Sequence, residues 1–260
     1  MCQQSNVGAD SCEHGVTNAD RASYGKVWLS LVMYRVALTF DDGPHPIWTR
    51  EIVRVLAERA AVPATFFVWG EQAVEHADVV DELLRAGHSV QPHCWHHRLH
   101  PDLTRAQIRG DVDRVVALLR QLGVPGPRLW RPPWGQLNKG VTRRVARRRG
   151  LVLTGWNADS HDWDGRAGGA MYEAVKSRIV ELRDREAVVL MHDNHVQPGP
   201  SSYRSDCHGT VELVRRLVHD EELSFVPVRH GMPDNLNEQP GRAGTVQVGR
   251  LRAWLGGATV

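Results

Sequence analysis

Short apolar runs alternate with longer amphipathic stretches from residue 36 to about residue 228 of this chain. Seven of the runs have the length and composition of buried strands. They cover residues 36–40, 64–68, 88–92, 128–131, 151–156, 187–191 and 224–228. Because strands that alternate with helices form parallel sheets, the pattern predicts an α/β domain whose sheet is open or closed into a barrel.

The stretch 104–122 carries the most regular helical pattern. Its apolar residues step by four and three, namely Ile108, Val112, Val115, Leu119 and Leu122. Thr104 is placed to cap the start of this helix, and Gly123 follows its end. A second helix is predicted over 208–219, where Val211, Val214 and Val218 share one stripe.

The alternation of strands and helices also indicates how the chain is organised. We expect one α/β domain over 34–230, a poorly structured extension over 1–33 and a tail rich in glycine and proline over 231–260. No apolar run reaches the roughly 20 residues of a membrane span, and no secretion signal is recognisable. We therefore expect a cytoplasmic protein without a membrane partner.

The net charge and the cysteine content give no support for a nucleic-acid partner or a thiolate zinc site. The net charge of +2 gives no argument for a nucleic-acid partner. The arginine cluster on one predicted helix is interpreted as a solvated face; it comprises Arg143, Arg144, Arg147, Arg148 and Arg149. The four cysteines form neither a Cys-x-x-Cys pair nor a disulfide framework, so a thiolate zinc site is not expected. The sequence carries no signal for an oligomeric state.

Two adjacent carboxylates, Asp41 and Asp42, follow the first predicted strand directly, and Gly43-Pro44 ends it. The carboxyl ends of parallel strands are where α/β folds place their chemistry. One carboxylate can bind a metal while the other stays free as a base. By itself this fragment is equally consistent with an ordinary turn.

Further polar clusters follow the later strands: His93–His97, Arg131–Gly135, Asp159–Trp163 and Leu190–Asp193. His93 and His97 have a spacing that can direct both rings to one metal, but His96 and His100 have it too. The spacing alone therefore leaves the choice of ligands open. If the strand ends meet at one face, the clusters together predict a metal-hydrolase site.

Five segments in this order resemble the motifs of the polysaccharide deacetylase family, the NodB-homology domain of carbohydrate esterase family 4. They are Thr39–Pro44, His93–His97, Arg131–Gly135, Asp159–Trp163 and Leu190–His192. The resemblance covers roughly residues 35–230. It implies a distorted (β/α) barrel with about seven parallel strands.

The resemblance also implies a metal centre. Asp42, His93 and His97 would bind one divalent metal, most often zinc, although the same donor set suits cobalt, nickel or iron. Asp41 would act as the general base, and Arg131 would hold and orient it. An amide is a poor electrophile, so a bound metal would assist by polarising its carbonyl and lowering the pKa of a bound water.

The remaining roles that the resemblance implies concern the leaving group and the pocket. His192 would be the general acid, with Asp159 tuning it. The backbone N–H of Trp134 would help to bind the oxyanion. Leu190 and Trp163 would line the pocket for the acetyl methyl group.

The implied reaction is removal of an acetyl group from the nitrogen of an N-acetylated amino sugar or related small molecule. An O-acetyl esterase or another non-peptide amide hydrolase on the same scaffold stays open, as does a catalytically dead carbohydrate-binding module. Cys94 stands where the family has Ser or Thr, and Pro92 where it usually has Asn. These departures, and the absence of a recognisable export signal, lead us to expect a small N-acetylated substrate rather than a polymer.

Overall fold

The computed structural model describes residues 33–60, 62–183, 185–195, 206–229 and 236. The predicted N-terminal extension and C-terminal tail lie almost wholly outside these residues, so their boundaries stay predictions. None of the helices in the described ranges combines the length and the apolar character that a membrane crossing requires.

Eight parallel strands form the centre of the described chain. They are β1 Tyr34–Asp41, β2 Ala64–Trp69, β3 Ser89–Cys94, β4 Leu129–Trp130, β5 Val152–Leu153, β6 Ala158–Asp159, β7 Ala187–His192 and β8 Leu223–Phe225. Seven helices connect them: α1 Trp48–Leu56, α2 Gly70–Glu75, α3 Ala77–Arg85, α4 Arg105–Gln121, α5 Lys139–Arg148, α6 Gly168–Leu182 and α7 His208–Val218. The predicted α/β class is confirmed, including the two helices predicted from their apolar stripes.

The helix α4 begins where the sequence predicts. The Thr104 hydroxyl accepts a hydrogen bond from the Gln107 N–H at 3.3 Å, and the Gln107 side chain accepts one from the Thr104 N–H at 2.8 Å. This reciprocal pair satisfies two of the N–H groups that every helix start leaves without an intrahelical partner. The cap therefore fixes where α4 begins.

The strands form an incomplete ring. The main sheet has the order β3-β2-β1-β7-β6, with β8 beside the start of β1, and β4 pairs with β5 separately. The two sheets approach each other where the Arg131 N–H donates to the Pro92 carbonyl at 3.4 Å. Within the described residues, no ladder joins β5 to β6, so the ring of strands stays open there.

One strand was predicted with the wrong bounds, and it borders this opening. The strand predicted over 151–156 forms strand hydrogen bonds only as far as Leu153, and the short strand β6 was not predicted. The carbonyls of Thr154 and Gly155 instead accept hydrogen bonds from the buried Arg131 side chain, at 3.3 and 2.9 Å. The Arg131 side chain thus binds two carbonyl groups that could otherwise accept hydrogen bonds from a neighbouring strand. With β6 included, the described residues form eight strands rather than the predicted seven.

The register of the central strands decides which side chains meet. Thr39 in β1 lies opposite Leu190 in β7, and Asp41 lies opposite His192. Side chains two residues apart on a strand point to the same face. Consequently these four residues share one face of the sheet, with Asp41 and His192 at its carboxyl end.

Candidate metal centre and active site

Asp42 sits in the turn that follows β1, where its φ of 75° lies in the left-handed region. The next residue is glycine for a steric reason, because a Cβ on Gly43 would overlap the Asp193 carboxylate. That carboxylate accepts hydrogen bonds from the Gly43 N–H at 3.0 Å and from the Thr49 hydroxyl at 2.6 Å. The close approach holds the turn against β7 and directs Asp42 into the site.

The structure selects one of the two histidine pairs that the spacing allows. His93 at the end of β3 and His97 in the loop beyond it each place Nε2 3.2 Å from Oδ1 of Asp42. One potential ligand atom from each of these three residues lies within 4.8 Å of the others. Among the described residues, this is the group of His, Cys, Asp and Glu side chains that can hold a metal ion.

His96 and His100, the alternative pair, contact other side chains. His100 is buried, and its Nδ1 lies 3.2 Å from the Thr142 hydroxyl. Burial, assisted by the nearby histidines, lowers the pKa of His100 to about 3, so the ring is a neutral packing residue. His96 faces outward, with Nδ1 3.1 Å from the Glu71 carboxylate.

The hydrogen bonding of Asp42, His93 and His97 fits a bound cation. Oδ1 of Asp42 and Nε2 of His93 are buried and lie 3.2 Å apart, yet neither makes a well-aligned hydrogen bond to any residue in the described part of the chain. Buried polar atoms without partners are costly unless something else satisfies them. Burial opposes ionisation of Asp42, but the adjacent His97 and His93 rings hold its pKa well below the usual range. Two imidazoles and a carboxylate at this separation are the donors that a divalent transition metal takes.

Arg131 holds Asp41 from the interior of the incomplete ring. Its guanidinium is fully buried and donates to Oδ1 of Asp41 at 2.8 Å and to the Thr39 hydroxyl at 2.9 Å. The ring of Phe67 covers its face, with 4.3 Å between Cζ and the ring centroid. Among the described residues, Oδ2 of Asp41 accepts no hydrogen bond, so one carboxylate oxygen is fixed and the other is available for a proton.

His192 ends β7 beside Asp41, and its partner corrects one assignment. Nδ1 of His192 lies 2.8 Å from Oδ1 of Asp162, whereas the contacts of Asp159 are to the Trp156 indole at 3.2 Å and to the His161 N–H at 2.9 Å. The register pairs Asp159 with Leu190, two residues short of His192. Asp162, rather than the predicted Asp159, is therefore the carboxylate that contacts His192.

The backbone between these two carboxylates explains the difference. His161 adopts φ 53°, ψ 33° and turns the chain, so that the following turn Asp162–Asp164 directs its first side chain back toward β7. Asp162 belongs to the predicted motif, and the hydrogen bonds of its side chain could not be read from spacing. Asp193 lies in the predicted cluster Leu190–Asp193, but nothing in the sequence indicated its contacts with Gly43 and Thr49.

The predicted pocket residues lie in two places. Trp134 lies beside His97 and Leu190 near His192, whereas the cavity at Trp163 has none of the three candidate metal ligands in its lining. Trp134 has φ 52°, its ring centroid lies 4.0 Å from that of His97, and its backbone N–H donates to no described residue. Leu190 is buried two residues before His192, on the same face of β7. Trp163 lines a cavity of about 560 Å³ beside Asp162.

Comparisons with known proteins identify the family of this chain. The profile of the family described as polysaccharide deacetylase matches residues 33–153. The peptidoglycan-N-acetylglucosamine deacetylase PgdA of Listeria monocytogenes is 35% identical over 165 residues, 62% of this chain and 33% of that protein. The chitooligosaccharide deacetylase of Bradyrhizobium sp. is 32% identical over 205 residues, 77% of this chain and 88% of that protein. A family 4 carbohydrate esterase from Streptomyces lividans, solved in complex with acetate, has a TM-score of 0.63 at 27% identity and covers 75% of this chain and 93% of its own.

The parallel α/β fold carries an Asp-His-His group that can hold a metal ion. This chain belongs to the polysaccharide deacetylase family. It spans about a third of the Listeria relative and most of the Bradyrhizobium relative.

Proposed function

We propose that this protein is a metal-dependent deacetylase that hydrolyses the N-acetyl group of an amino sugar. The observation that carries the proposal is the placement of two hydrogen-bonded pairs, Asp41 with Arg131 and His192 with Asp162, at the carboxyl ends of β1 and β7 beside Asp42. One pair presents a carboxylate and the other an imidazole, as amide hydrolysis requires of a base and an acid.

The two pairs give the proposed acid and the proposed base different partners. Burial lowers the pKa of His192, but the charge and hydrogen bond of Asp162 outweigh it and raise the pKa to about 10. The imidazole therefore carries a proton at neutral pH and can give it to the departing nitrogen. Asp41 keeps one oxygen on Arg131 and offers the other to the proton of the attacking water.

Asp42, His93 and His97 would hold the metal, which we propose is zinc. A bound divalent ion would polarise the acetyl carbonyl and favour ionisation of a nearby water. Cobalt, nickel and iron accept the same donors, so the metal is tested by loading the stripped protein with each in turn.

The N–H of Trp134 is the proposed protein donor to the oxyanion. Its left-handed conformation and the lack of a described partner support this role. A donor that is preorganised in the fold stabilises developing charge without reorganisation during the reaction. Leu190 and Trp163 are proposed as the walls of the acetyl pocket.

For the substrate, we propose a short N-acetylglucosamine oligomer. The Bradyrhizobium relative, of which this chain covers 88%, is named a chitooligosaccharide deacetylase. Such an oligomer is a small N-acetylated glycan, as the sequence leads us to expect. The predicted cytoplasmic location is a separate proposal, which fractionation of the native cells tests.

The first experiment measures acetate release from N-acetylglucosamine, chitooligosaccharides, peptidoglycan and O-acetylated xylan. Each assay uses metal-stripped protein, the same protein with zinc restored, and the Asp41→Asn variant. We expect zinc-dependent release from chitooligosaccharides that the variant lacks. Release from xylan alone would make the protein an O-acetyl esterase, and tight glycan binding without release would make it a binding module.

A further inference from the structure

Asp111 lies on the buried face of α4, where the other positions are apolar. Its neighbours on this stripe, one turn away in each direction, are Ile108 and Val115. A carboxylate among apolar side chains costs free energy unless its oxygens accept hydrogen bonds. Packing alone therefore does not explain why this position is an aspartate.

Both oxygens of Asp111 bond to the loop that joins His93 to His97. Oδ2 accepts the Trp95 N–H at 2.7 Å, and Oδ1 accepts the His96 N–H at 2.9 Å. The two residues whose N–H groups are bound stand between the two histidine ligands in the chain. The carboxylate thus holds the connecting segment from outside the donor set.

Other contacts immobilise the same segment around Trp95. Its carbonyl accepts the Trp69 indole N–H at 2.7 Å, and the Arg114 guanidinium lies 3.6 Å from its ring centroid. A Cβ on Gly70 would come within 2.7 Å of the same ring, so the indole packs directly against the start of α2. Asp111 and Arg114 are one turn apart on α4. Asp111 binds the backbone of Trp95, and Arg114 packs on its ring.

We propose that Asp111 is a positioning residue that sets the geometry of His93 and His97 before any metal binds. A ligand pair that is already ordered does not have to give up conformational freedom when the ion arrives, so the affinity is higher. When a group that orients metal ligands without touching the metal is removed, metal affinity typically falls by about 10- to 100-fold. The inference rests on the proposed metal site at Asp42, His93 and His97.

The test compares Asp111→Asn with Asp113→Asn. The first variant keeps the side chain's shape but turns an NH2 group toward a backbone N–H, so one of the two hydrogen bonds is lost. The second lies on the exposed face of the same helix, where Asp113 pairs with Arg149. Zinc affinity is measured by competition with a chromogenic chelator. We expect zinc binding about 10- to 100-fold weaker in Asp111→Asn and within about twofold of wild type in Asp113→Asn.

A second measurement keeps the proposal testable if Asp111→Asn does not fold. Hydrogen exchange of the wild-type protein is followed with and without zinc. We expect the amides of Trp95 and His96 to stay protected in the metal-free protein, because their acceptor is Asp111 rather than the metal site. Protection that appears only with zinc, or unchanged zinc affinity in Asp111→Asn, would overturn the proposal. Wild-type protein that binds no divalent ion would instead overturn the metal site itself.

Discussion

Nδ1 of His192 lies 2.8 Å from Oδ1 of Asp162, while the backbone N–H of the same histidine donates to Oδ2 at 2.7 Å. The Thr210 hydroxyl donates to Oδ2 as well, at 2.8 Å. Burial opposes ionisation of Asp162, but the ring and backbone N–H of His192, together with the His195 ring, lower its pKa below the usual value. The carboxylate is thus fixed on three sides and keeps the imidazole protonated.

This relationship predicts the pH dependence of the reaction. Protonated His192 is the proposed acid, so activity is lost as the pH rises through its pKa, which Asp162 raises to about 10. In Asp162→Asn we expect the alkaline limb of kcat/KM to move down toward the ordinary imidazole value. At pH 8 the rate should fall by about 30-fold, because only about 3% of imidazoles with a pKa near 6.5 carry a proton there. Full pH profiles of the zinc-loaded variants measure both effects.

Two further variants control this prediction. Asp164→Asn changes a half-exposed carboxylate two residues away and should leave the alkaline limb in place. Asp159→Asn should also leave it in place, since that side chain bonds to Trp156 and His161. A shift of the alkaline limb in Asp159→Asn but not in Asp162→Asn would restore the original assignment.

Arg131→Lys tests the role of the buried guanidinium. A lysine keeps the charge, but its compact ammonium cannot bond at once to Asp41, Thr154 and Gly155. We expect the free energy of unfolding to fall by about 2–4 kcal/mol, because buried carbonyls lose charged donors. Urea unfolding measures this, with the exposed Arg128→Lys as a control that should change by less than about 0.5 kcal/mol.

Gly43→Ala tests the close approach of the metal-ligand turn to β7. The added methyl group would overlap the Asp193 carboxylate, so the turn must shift and Asp42 with it. We expect a loss of about 1–3 kcal/mol in unfolding free energy together with weaker zinc binding. Gly110→Ala is the matched control: a Cβ there meets no atom within 4 Å, and alanine should stabilise α4 by up to about 1 kcal/mol. Equal behaviour of the two variants would show that the contact is not needed.

Removal of the metal should lower the thermal stability of the protein. A ligand that binds only the native state at about 1,000 times its Kd adds roughly 4 kcal/mol. For a domain of this size, that corresponds to a fall in Tm on the order of 10 °C after chelation. Differential scanning calorimetry should show recovery when zinc is restored, and His93→Ala should respond to neither treatment. A Tm that is unaffected by chelation in the wild type would contradict the proposed site.

Several parts of the fold could be predicted because they depend on neighbours in the sequence. The cap at Thr104 needs only Gln107 three residues later. The long strands β1 and β7 were recognisable because both are buried along most of their length. The strand predicted over 151–156 could not be bounded in this way, since its end depends on Arg131, a residue more than twenty positions earlier.

The sequence by itself determined the fold class, the order of the motifs and the set of residues from which the centre is built. The tertiary structure decided which side chains meet. It brings His93 and His97 to Asp42, the pair that the resemblance implies and that spacing alone leaves open, and it places Asp162 rather than Asp159 against His192. Spacing along the chain describes only local geometry, whereas these choices depend on strand register, on one left-handed residue at His161 and on the course of the loops. Contacts between residues far apart in the sequence exist only after the strands have paired, and for that reason the pattern alone could not supply them.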